Sequence, residues 1–449
     1  MTLALIILAA GKGTRMRSDL PKVLHPIAGA PLVVHAMEAG KPLSPERCVV
    51  VAGHGAELVR KRVLEHDPQA EIVLQTEQLG TAHAVDQARA ALDGFEGDAI
   101  VLYGDTPFVS AETLADIQAA RAGGADVVVL GFEAAEPGKY GRLVVEGDRL
   151  ARIVEAKDAT PEELAISLCN SGVVCADRAV LFDLISKVGN ENASGEYYLT
   201  DIVDIANADG KRCVAVTCDE AETLGVNSRV DLAAAEAVFQ AARRRQAMEE
   251  GATLVAPETV HFAYDTQLGR DVLVEPNVVF GPGVVVEDGV ELRAFSHLEG
   301  CRVGQGSIVG PYARLRPGSE LAAGVKIGNF VETKNAVLAQ GAKVNHLSYI
   351  GDASVGAEAN IGAGTITCNY DGVLKHHTEI GANAFIGSNS ALVAPVKIGA
   401  KALVGAGSVI SRDVPDEALA MTRAKQEVKP GLATKLRARL LELKASRKK

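Results

Sequence analysis

Hydrophobic and polar positions follow two different rhythms along this chain. Up to about residue 225, short apolar runs alternate with helical patterns. The runs are TLALIIL (2–8), CVVVAG (48–53), EIVLQ (71–75), DAIVLYGD (98–105), ADVVVLGF (125–132) and CVAVTC (213–218), and SAETLADIQAARAG (110–123) is a representative helix. Near-continuous apolar strands alternating with helices predict a doubly wound, mostly parallel α/β sheet covered on both faces. YGRLVVEGDRLARIVEA (140–156) alternates around a Glu-Gly-Asp turn and predicts an inserted β-hairpin. SRVDLAAAEAVFQAARRRQAMEEG (228–251) opens at Ser228, a favoured N-cap type, and closes at Gly251. It reads as a helix linking a domain over 1–227 to a second over 252–449.

In the second domain an aliphatic or aromatic residue recurs every six positions: Val274, Phe280, Val286, Leu292 and Leu298. The phase slips by one and continues through Val303, Val309, Leu315, Leu321 and Ile327, then returns as Ile380, Ile386, Leu392, Ile398, Val404 and Ile410. A period of six fits neither a helix nor strand alternation alone. It is the hexapeptide signature of a parallel β-helix, each marked residue pointing into a narrow core. Glycine follows the aliphatic position at Gly381, Gly387, Gly399 and Gly405, where it is expected to supply the backbone freedom of a corner. One polar segment, CNYDGVLKHHTE, interrupts the hexads before Ile380 and predicts a loop projecting from a rigid solenoid, where sites are commonly placed. His376 and His377 in that loop read as solvated rather than as metal ligands.

Composition narrows the classes. At 449 residues, 47% apolar and without a long polar tract, the chain is long enough for two or three folded domains. No run approaches the ~18–20 apolar residues of a membrane span. The apolar start lacks the basic n-region and cleavage site of a signal peptide. Seven scattered cysteines, none in CxxC spacing, predict reduced thiols in a bacterial-type cytoplasm rather than disulfides or a zinc site. A net charge of −11 argues against general nucleic-acid binding, and the basic tail KLRARLLELKASRKK (435–449) reads as a solvated helical end.

The local chemistry lies elsewhere. LAAGKGTRMRSDLPKVL (8–24) follows the first strand, but has neither Walker A nor GxGxxG spacing. Backbone N–H groups around Gly11 and Gly13 can approach an anion, and Arg15 and Lys22 add charge that a triphosphate needs neutralised. YGDTP (103–107) leaves another strand end, placing Asp105, a hard oxygen ligand suited to Mg²⁺, at the same edge. A plain glycine turn with surface cations and an N-capping Asp is the alternative reading of these residues.

The motifs LAAGKGTRM, PKVLHPIAG, QLGTAHAV (78–85), YGDTP, KYGRLV (139–144), NSGVV (170–174), GEYYLTDI (195–202) and GVNSR (225–229) resemble those of nucleotide-sugar pyrophosphorylases. With NFVETK (329–334), NIGAGTITCNYDG (360–372) and GSNSALVAPV (387–396), nearly the whole chain resembles the bacterial bifunctional N-acetylglucosamine-1-phosphate uridylyltransferase/glucosamine-1-phosphate N-acetyltransferases. The resemblance implies synthesis of UDP-N-acetylglucosamine for the cell wall, from glucosamine 1-phosphate, acetyl-CoA and UTP, in a cytoplasmic homotrimer built on left-handed prisms with coenzyme A bound between chains.

It also implies residue roles. Leu8, Ala9, Ala10 and Gly11 would read uracil with Gln75, Gly80 and Thr81, while Arg15 and Lys22 would face the phosphates. Gly104, Gly141, Glu155, Asn170 and Asn227 would line the sugar-phosphate site, and Asp105 and Asn227 would bind Mg²⁺. Acetyl transfer to an amine needs a base with a pKa near the working pH, a task suited to histidine. His346 in NHLSY (345–349) aligns with the family's base; its other reading is a satisfied histidine on a solenoid corner. Arg316, Lys334, Tyr349, Asn360 and Lys375 would bind glucosamine 1-phosphate, with Glu332 as a supporting partner. Asn369 and Tyr370 would lie near the acetyl group, and Ala363, Ser388, Ala406 and Arg423 would bind coenzyme A. An acyl-cysteine route through Cys368 is disfavoured, because no local base accompanies it and direct attack on the thioester suffices.

Two other readings of the chain stay open. One is a dTTP/glucose 1-phosphate transferase whose β-helix is a regulatory or trimerising platform. The other is a binding scaffold with a degenerate catalytic half, against which the joint presence of Arg15, Lys22 and Asp105 speaks.

Overall fold

The structure, a computed structural model, describes residues 2–192 and 194–447. Two compact units emerge, Met1–Arg245 with Phe262–Tyr264, and Gln246–His261 with Asp265–Lys449.

In the first unit the strand Leu3–Ala9 is buried at all seven positions. Its alternate residues serve opposite sides of the sheet. Ala4, Ile6 and Leu8 join one apolar core, while Leu3, Leu5 and Ile7 join the other. Both faces being covered, neither side of the pleat needs polar residues, which is why the run reads as continuous. The neighbours Arg47–Ala52 and Asp98–Tyr103 run parallel to it. The sheet order is Cys213–Cys218, Val127–Glu133, Leu168–Asp177, Asp98–Tyr103, Leu3–Ala9, Arg47–Ala52, Glu71–Leu74.

Leu168–Asp177 departs from the parallel pattern and runs antiparallel to both neighbours. Its register shifts between Asn170 and Val174, a bulge held by Asn170 Oδ1 accepting from Gly172 N at 2.9 Å. Such bulges re-aim side chains beside a site. The expected hairpin forms from Arg142–Glu146 and Arg149–Val154. The helix Arg229–Glu249 begins with reciprocal capping: Ser228 Oγ accepts from Asp231 N at 3.2 Å, and Asp231 accepts from Ser228 N at 2.8 Å.

The second unit is a parallel β-helix of very short strands. Val274 pairs with Leu292, three hexads on, and every hexad residue named from the sequence is buried. The core position does not lapse in the middle of the domain. It passes through Thr333, Leu338, Val344, Ile350, Val355, Ile361 and Thr367, also buried. The two threonines are satisfied there: Thr333 shares a 2.9 Å hydrogen bond with Ser319, and Thr367 donates to Gly351 O at 3.0 Å.

The glycines after the aliphatic positions have a different role from the one expected. Gly381, Gly387, Gly399 and Gly405 are absent from the positive-φ positions. A Cβ on Gly381 or Gly387 would lie 2.4 Å from the backbone N of Ala400 or Ala406 on the next turn. Close rung-to-rung approach, not left-handed backbone, demands glycine at 381, 387 and 399, whereas a Cβ on Gly405 would first meet the Met421 side chain, at 3.2 Å. Left-handed corners fall three residues before most core residues, though not before Ile380 or Ile398, and carry such residues as Asp271, Asn277, Phe295, Tyr312, Phe330 and Leu347.

The polar interruption is a loop between the strands Ile366–Cys368 and Thr378–Ile380. Asp371 closes it locally, accepting from Val373 N, Leu374 N and His376. His377 meets Ser354 Oγ at 3.2 Å. The helix Leu432–Ser446 is exposed throughout. Among the described residues no helix is long and apolar enough to cross a membrane.

Candidate active sites

Two separate constellations arise, one in each unit. The first is a cavity of about 290 Å³ at the strand ends of the sheet, lined by Leu8, Ala10, Gly11, Lys22, Gln75, Gly80, Thr81 and Asp105 among others. A Cβ on Gly11 would meet nothing within 4 Å, so its backbone opens onto free space. Gly13 has φ 59°, and a Cβ there would lie 2.5 Å from Lys22 Cβ. This glycine lets the loop fold back onto the stem of Lys22. Buried Gln75 donates to Gly80 O at 3.2 Å and meets His83 Nδ1 at 3.0 Å, fixing the start of the helix Thr81–Asp86 beside the cavity.

Asp105 and Asn227 are brought together across the sequence by Val226 N donating to Asp105 O at 2.9 Å. The Lys22 ammonium sits between them, ion-paired to Asp105 and donating to Asn227 Oδ1 at 3.1 Å. Asn227 is held in turn by its backbone N donating to Asp231 at 3.0 Å. A carboxylate and an amide oxygen already converging on a cation form a donor pair of the type that Mg²⁺ accepts, its remaining positions going to phosphate and water. The residues therefore fit the ion that the sequence resemblance implies.

Gly141, Glu155 and Asn170 also converge: a Cβ on Gly141 would stand 3.5 Å from Glu155 Oε1 and 3.6 Å from Asn170 Cβ. Burial raises the Glu155 carboxyl above its ordinary range, although Thr200 Oγ1 donates to it at 3.4 Å. Gly104 lies between Tyr103 and Asp105, which both line the cavity, and its N donates to Leu8 O at 2.9 Å. Several expected residues do not line this cavity: Gly104, Gly141, Glu155, Asn170 and Asn227 lie outside the lining, and so do Ala9 and Arg15. Ala9 is buried in the first strand, and Arg15 lies exposed on the turn Thr14–Met16. Tyr103 and Glu196, which do line the cavity, were missed as individual residues although both lie inside quoted motifs.

The second constellation lies along the β-helix, where ladder register stacks residues far apart in sequence. Arg316 is paired with Glu332 at 2.8 Å, and Glu332 lies beside Tyr349 on the next turn. Lys334 is pulled below its ordinary pKa, first by the close approach of the Lys375 side chain, then by the charges of Lys375 and Arg316. Three cations thus crowd one patch, a ready seat for a phosphate. His346 Nδ1 meets Asn329 Oδ1 at 2.9 Å, the two residues being ladder partners. A proton on Nδ1 directed at that oxygen would leave the Nε2 lone pair free.

Asn369 is buried and donates to Asp352, whereas Tyr370 is exposed with its hydroxyl donating to Gly372 O at 2.5 Å. The register Ile361↔Ile386↔Val404 stacks Ala363, Ser388 and Ala406, each two residues on, along one line. Arg423 joins that line by donating to Ala406 O at 3.0 Å. Asn360 sits on the same ladder between Lys343 and Phe385. Cys368 Sγ reaches only Ile366 O, at 4.0 Å, and no base accompanies it among the described residues. Asn329 and Asp352 were missed in the sequence, although Asn329 opens the quoted NFVETK motif.

Residues 5–168 match the family model of MobA-like NTP transferase domains, and residues 377–412 match the bacterial transferase hexapeptide of six repeats. A protein named "Bifunctional protein GlmU" from Jannaschia sp. (strain CCS1) is 61% identical over 447 residues, covering 100% of this chain and 98% of its own. Proteins of the same name from Ruegeria sp. (strain TM1040) and Ruegeria pomeroyi are each 64% identical over 449 residues, with both chains fully covered. Such likeness over both halves does not favour a dTTP-dependent enzyme with a merely structural solenoid. The chain belongs to the GlmU family of bifunctional enzymes, uridylyltransferase and acetyltransferase in one polypeptide.

Proposed function

We propose that uridylyl transfer is carried by residues 1–227 and acetyl transfer by residues 252–449, joined by the segment 228–251. In the first site the backbone of Leu8, Ala9, Ala10 and Gly11, with Gln75, Gly80 and Thr81, holds the uracil of UTP. N-acetylglucosamine 1-phosphate lies against Gly104, Gly141, Glu155, Asn170 and Asn227. One of its phosphate oxygens attacks the α-phosphorus of UTP, the new P–O bond forming as the bond to pyrophosphate breaks. Lys22, joined by Arg15, neutralises the developing charge and aligns the phosphates, with no covalent enzyme intermediate. Mg²⁺ held by Asp105 and Asn227 would supply further charge neutralisation. The observation that carries this reading is the gathering of Lys22, Asp105 and Asn227 Oδ1, with Lys22 and Asp105 lining a cleft that Gly11 and Gly80 also border.

In the second site Arg316, Lys334 and Lys375 hold the phosphate of glucosamine 1-phosphate, with Tyr349 and Asn360 completing the acceptor pocket. His346 Nε2 takes a proton as the amine attacks the thioester carbonyl of acetyl-CoA; the C–N bond forms, the C–S bond breaks and coenzyme A leaves. Asn369 and Tyr370 lie near the acetyl group, and Ala363, Ser388, Ala406 and Arg423 along the coenzyme.

The enzyme works in the cytoplasm as a homotrimer. Its corner residues Phe295, Tyr312 and Phe330 support the trimer: they stack at centroid distances of 4.9 and 5.2 Å while each is about half exposed. Three aromatic side chains held in left-handed backbone and left wet are costly unless another copy covers them. Substituting His346 by Ala and Asp105 by Asn in the full chain tests the two-site assignment. Each is expected to abolish one reaction and spare the other; loss of both together in folded protein would refute it.

A further inference from the structure

Asp352 belongs to none of the motifs, yet its carboxylate accepts from two asparagine side chains beside the β-helix unit's candidate site. It occupies a corner with φ 45° and is 9% exposed. Its Oδ1 accepts from Asn335 Nδ2 at 2.6 Å, and its Oδ2 accepts from Asn369 Nδ2. Ladder register makes these three residues successive steps of one column: Lys334 pairs with Gly351 and Ala336 with Ala353, while Tyr349 pairs with Ile366. Burial pushes the Asp352 carboxyl up, but the two amide donors and the charges of Lys375 and Lys334 outweigh it and leave the group below its ordinary range.

An ionised carboxylate only accepts hydrogen bonds. Each asparagine facing it must therefore turn its NH₂ inward and its carbonyl oxygen outward. For Asn369 this fixes which end of the amide faces the loop bearing Tyr370 and Lys375. The same carboxylate stands near both lysines, whose like charges would otherwise drive them apart.

We infer that Asp352 is a positioning residue for acetyl transfer, locking the amide of Asn369 and, through it, the root of the loop that carries Lys375 to Lys334. This rests on the acetyl-site reading above. Asparagine at 352 would offer only one acceptor oxygen and would set an NH₂ against one of the two donors.

The test uses the full chain and both of its reactions. Asp352→Asn is expected to lower kcat for acetyl transfer by ~10- to 100-fold, the scale of a misplaced reacting group, with KM for glucosamine 1-phosphate raised and uridylyl transfer within about twofold of wild type. Because Asp352 acts through Asn369, Asp352→Asn combined with Asn369→Ala should be no slower than Asn369→Ala alone. Asp352→Glu, which keeps both acceptor oxygens, should recover part of the rate. Asp352→Ser is held to the same outcomes as Asp352→Asn if that variant folds poorly. A kcat within twofold of wild type, or strictly multiplicative losses in the double variant, would overturn the inference. A wild-type chain that fails to acetylate glucosamine 1-phosphate would instead strike the acetyl-site reading itself.

Discussion

Asn329 Oδ1 lies 2.9 Å from His346 Nδ1, one turn of the β-helix away. The pairing selects the imidazole tautomer whose Nε2 can receive a proton, so Asn329 should matter for turnover more than for substrate binding. Asn329→Ala is expected to reduce acetyl-transfer kcat by ~10-fold or more, and His346→Ala by ~10²–10⁴. KM values should change little in Asn329→Ala. Steady-state kinetics with glucosamine 1-phosphate and acetyl-CoA would show it; an unchanged kcat in Asn329→Ala would refute the tautomer argument.

Lys22 occupies the space between Asp105 and Asn227 Oδ1 that a divalent ion would share. Removing its charge should therefore have opposite effects on metal and nucleotide. Lys22→Met is expected to bind Mn²⁺ more tightly than wild type in the absence of UTP, and to bind UTP at least ~10-fold more weakly, about 1.4 kcal/mol. Paramagnetic titration of Mn²⁺ and calorimetry with UTP read the two effects separately.

Asp201 is pushed up to about 6, first by burial, then by the neighbouring Asp204, Glu155 and Asp158. In the unfolded chain the same group titrates near the ordinary carboxylate value of 3.8. Between these values the folded state holds more protons, so this group's contribution to stability falls as pH rises from about 4 to about 6. Asp201→Asn, which cannot ionise, should melt about 2–4 °C above wild type at pH 8. The gap should shrink at pH 5. Thermal unfolding at the two values measures it, and an equal gap at both would contradict the assignment.

The two glycine environments of the β-helix predict a contrast. Gly387→Ala places a Cβ 2.4 Å from Ala406 N, against a backbone that cannot yield. Gly407→Ala meets nothing within 4 Å and carries only the strain of φ 73°, about 1–2 kcal/mol. Gly387→Ala should be the more destabilising by a wide margin, close to the ~2–5 kcal/mol expected for removing a core side chain by Leu315→Ala. Denaturant titration of the three variants ranks them.

These contrasts also mark what the sequence could and could not reveal. Runs such as TLALIIL and hexads such as Ile380 to Ile410 were legible because burial on both faces, or in a one-residue-wide core, leaves a periodic apolar trace. The hexads were lost between Ile327 and Ile380 because Thr333 and Thr367 fill core positions with hydroxyls satisfied across the rungs, and because the six-residue phase slips by one at Leu338 and again at Val355. The antiparallel strand Leu168–Asp177 was hidden by Asn170, Ser171 and Gly172, whose polarity belongs to its bulge. Lys22 and Asp105 could be paired on paper because both leave strand ends. Asp352 could not, because its partners Asn335 and Asn369 meet it only through a ladder register that no local spacing encodes.

The central claim is that one polypeptide houses two independent reaction centres, only one of them built around a divalent ion. The most direct measurement follows acetylation and pyrophosphate release together, from glucosamine 1-phosphate, acetyl-CoA and UTP, with Mg²⁺ and then with excess EDTA. With Mg²⁺ the purified chain should form UDP-N-acetylglucosamine and release pyrophosphate. With EDTA it should stop at N-acetylglucosamine 1-phosphate, acetylation continuing at an undiminished rate. Simultaneous loss of both reactions on chelation, or pyrophosphate release undiminished by EDTA, would contradict it.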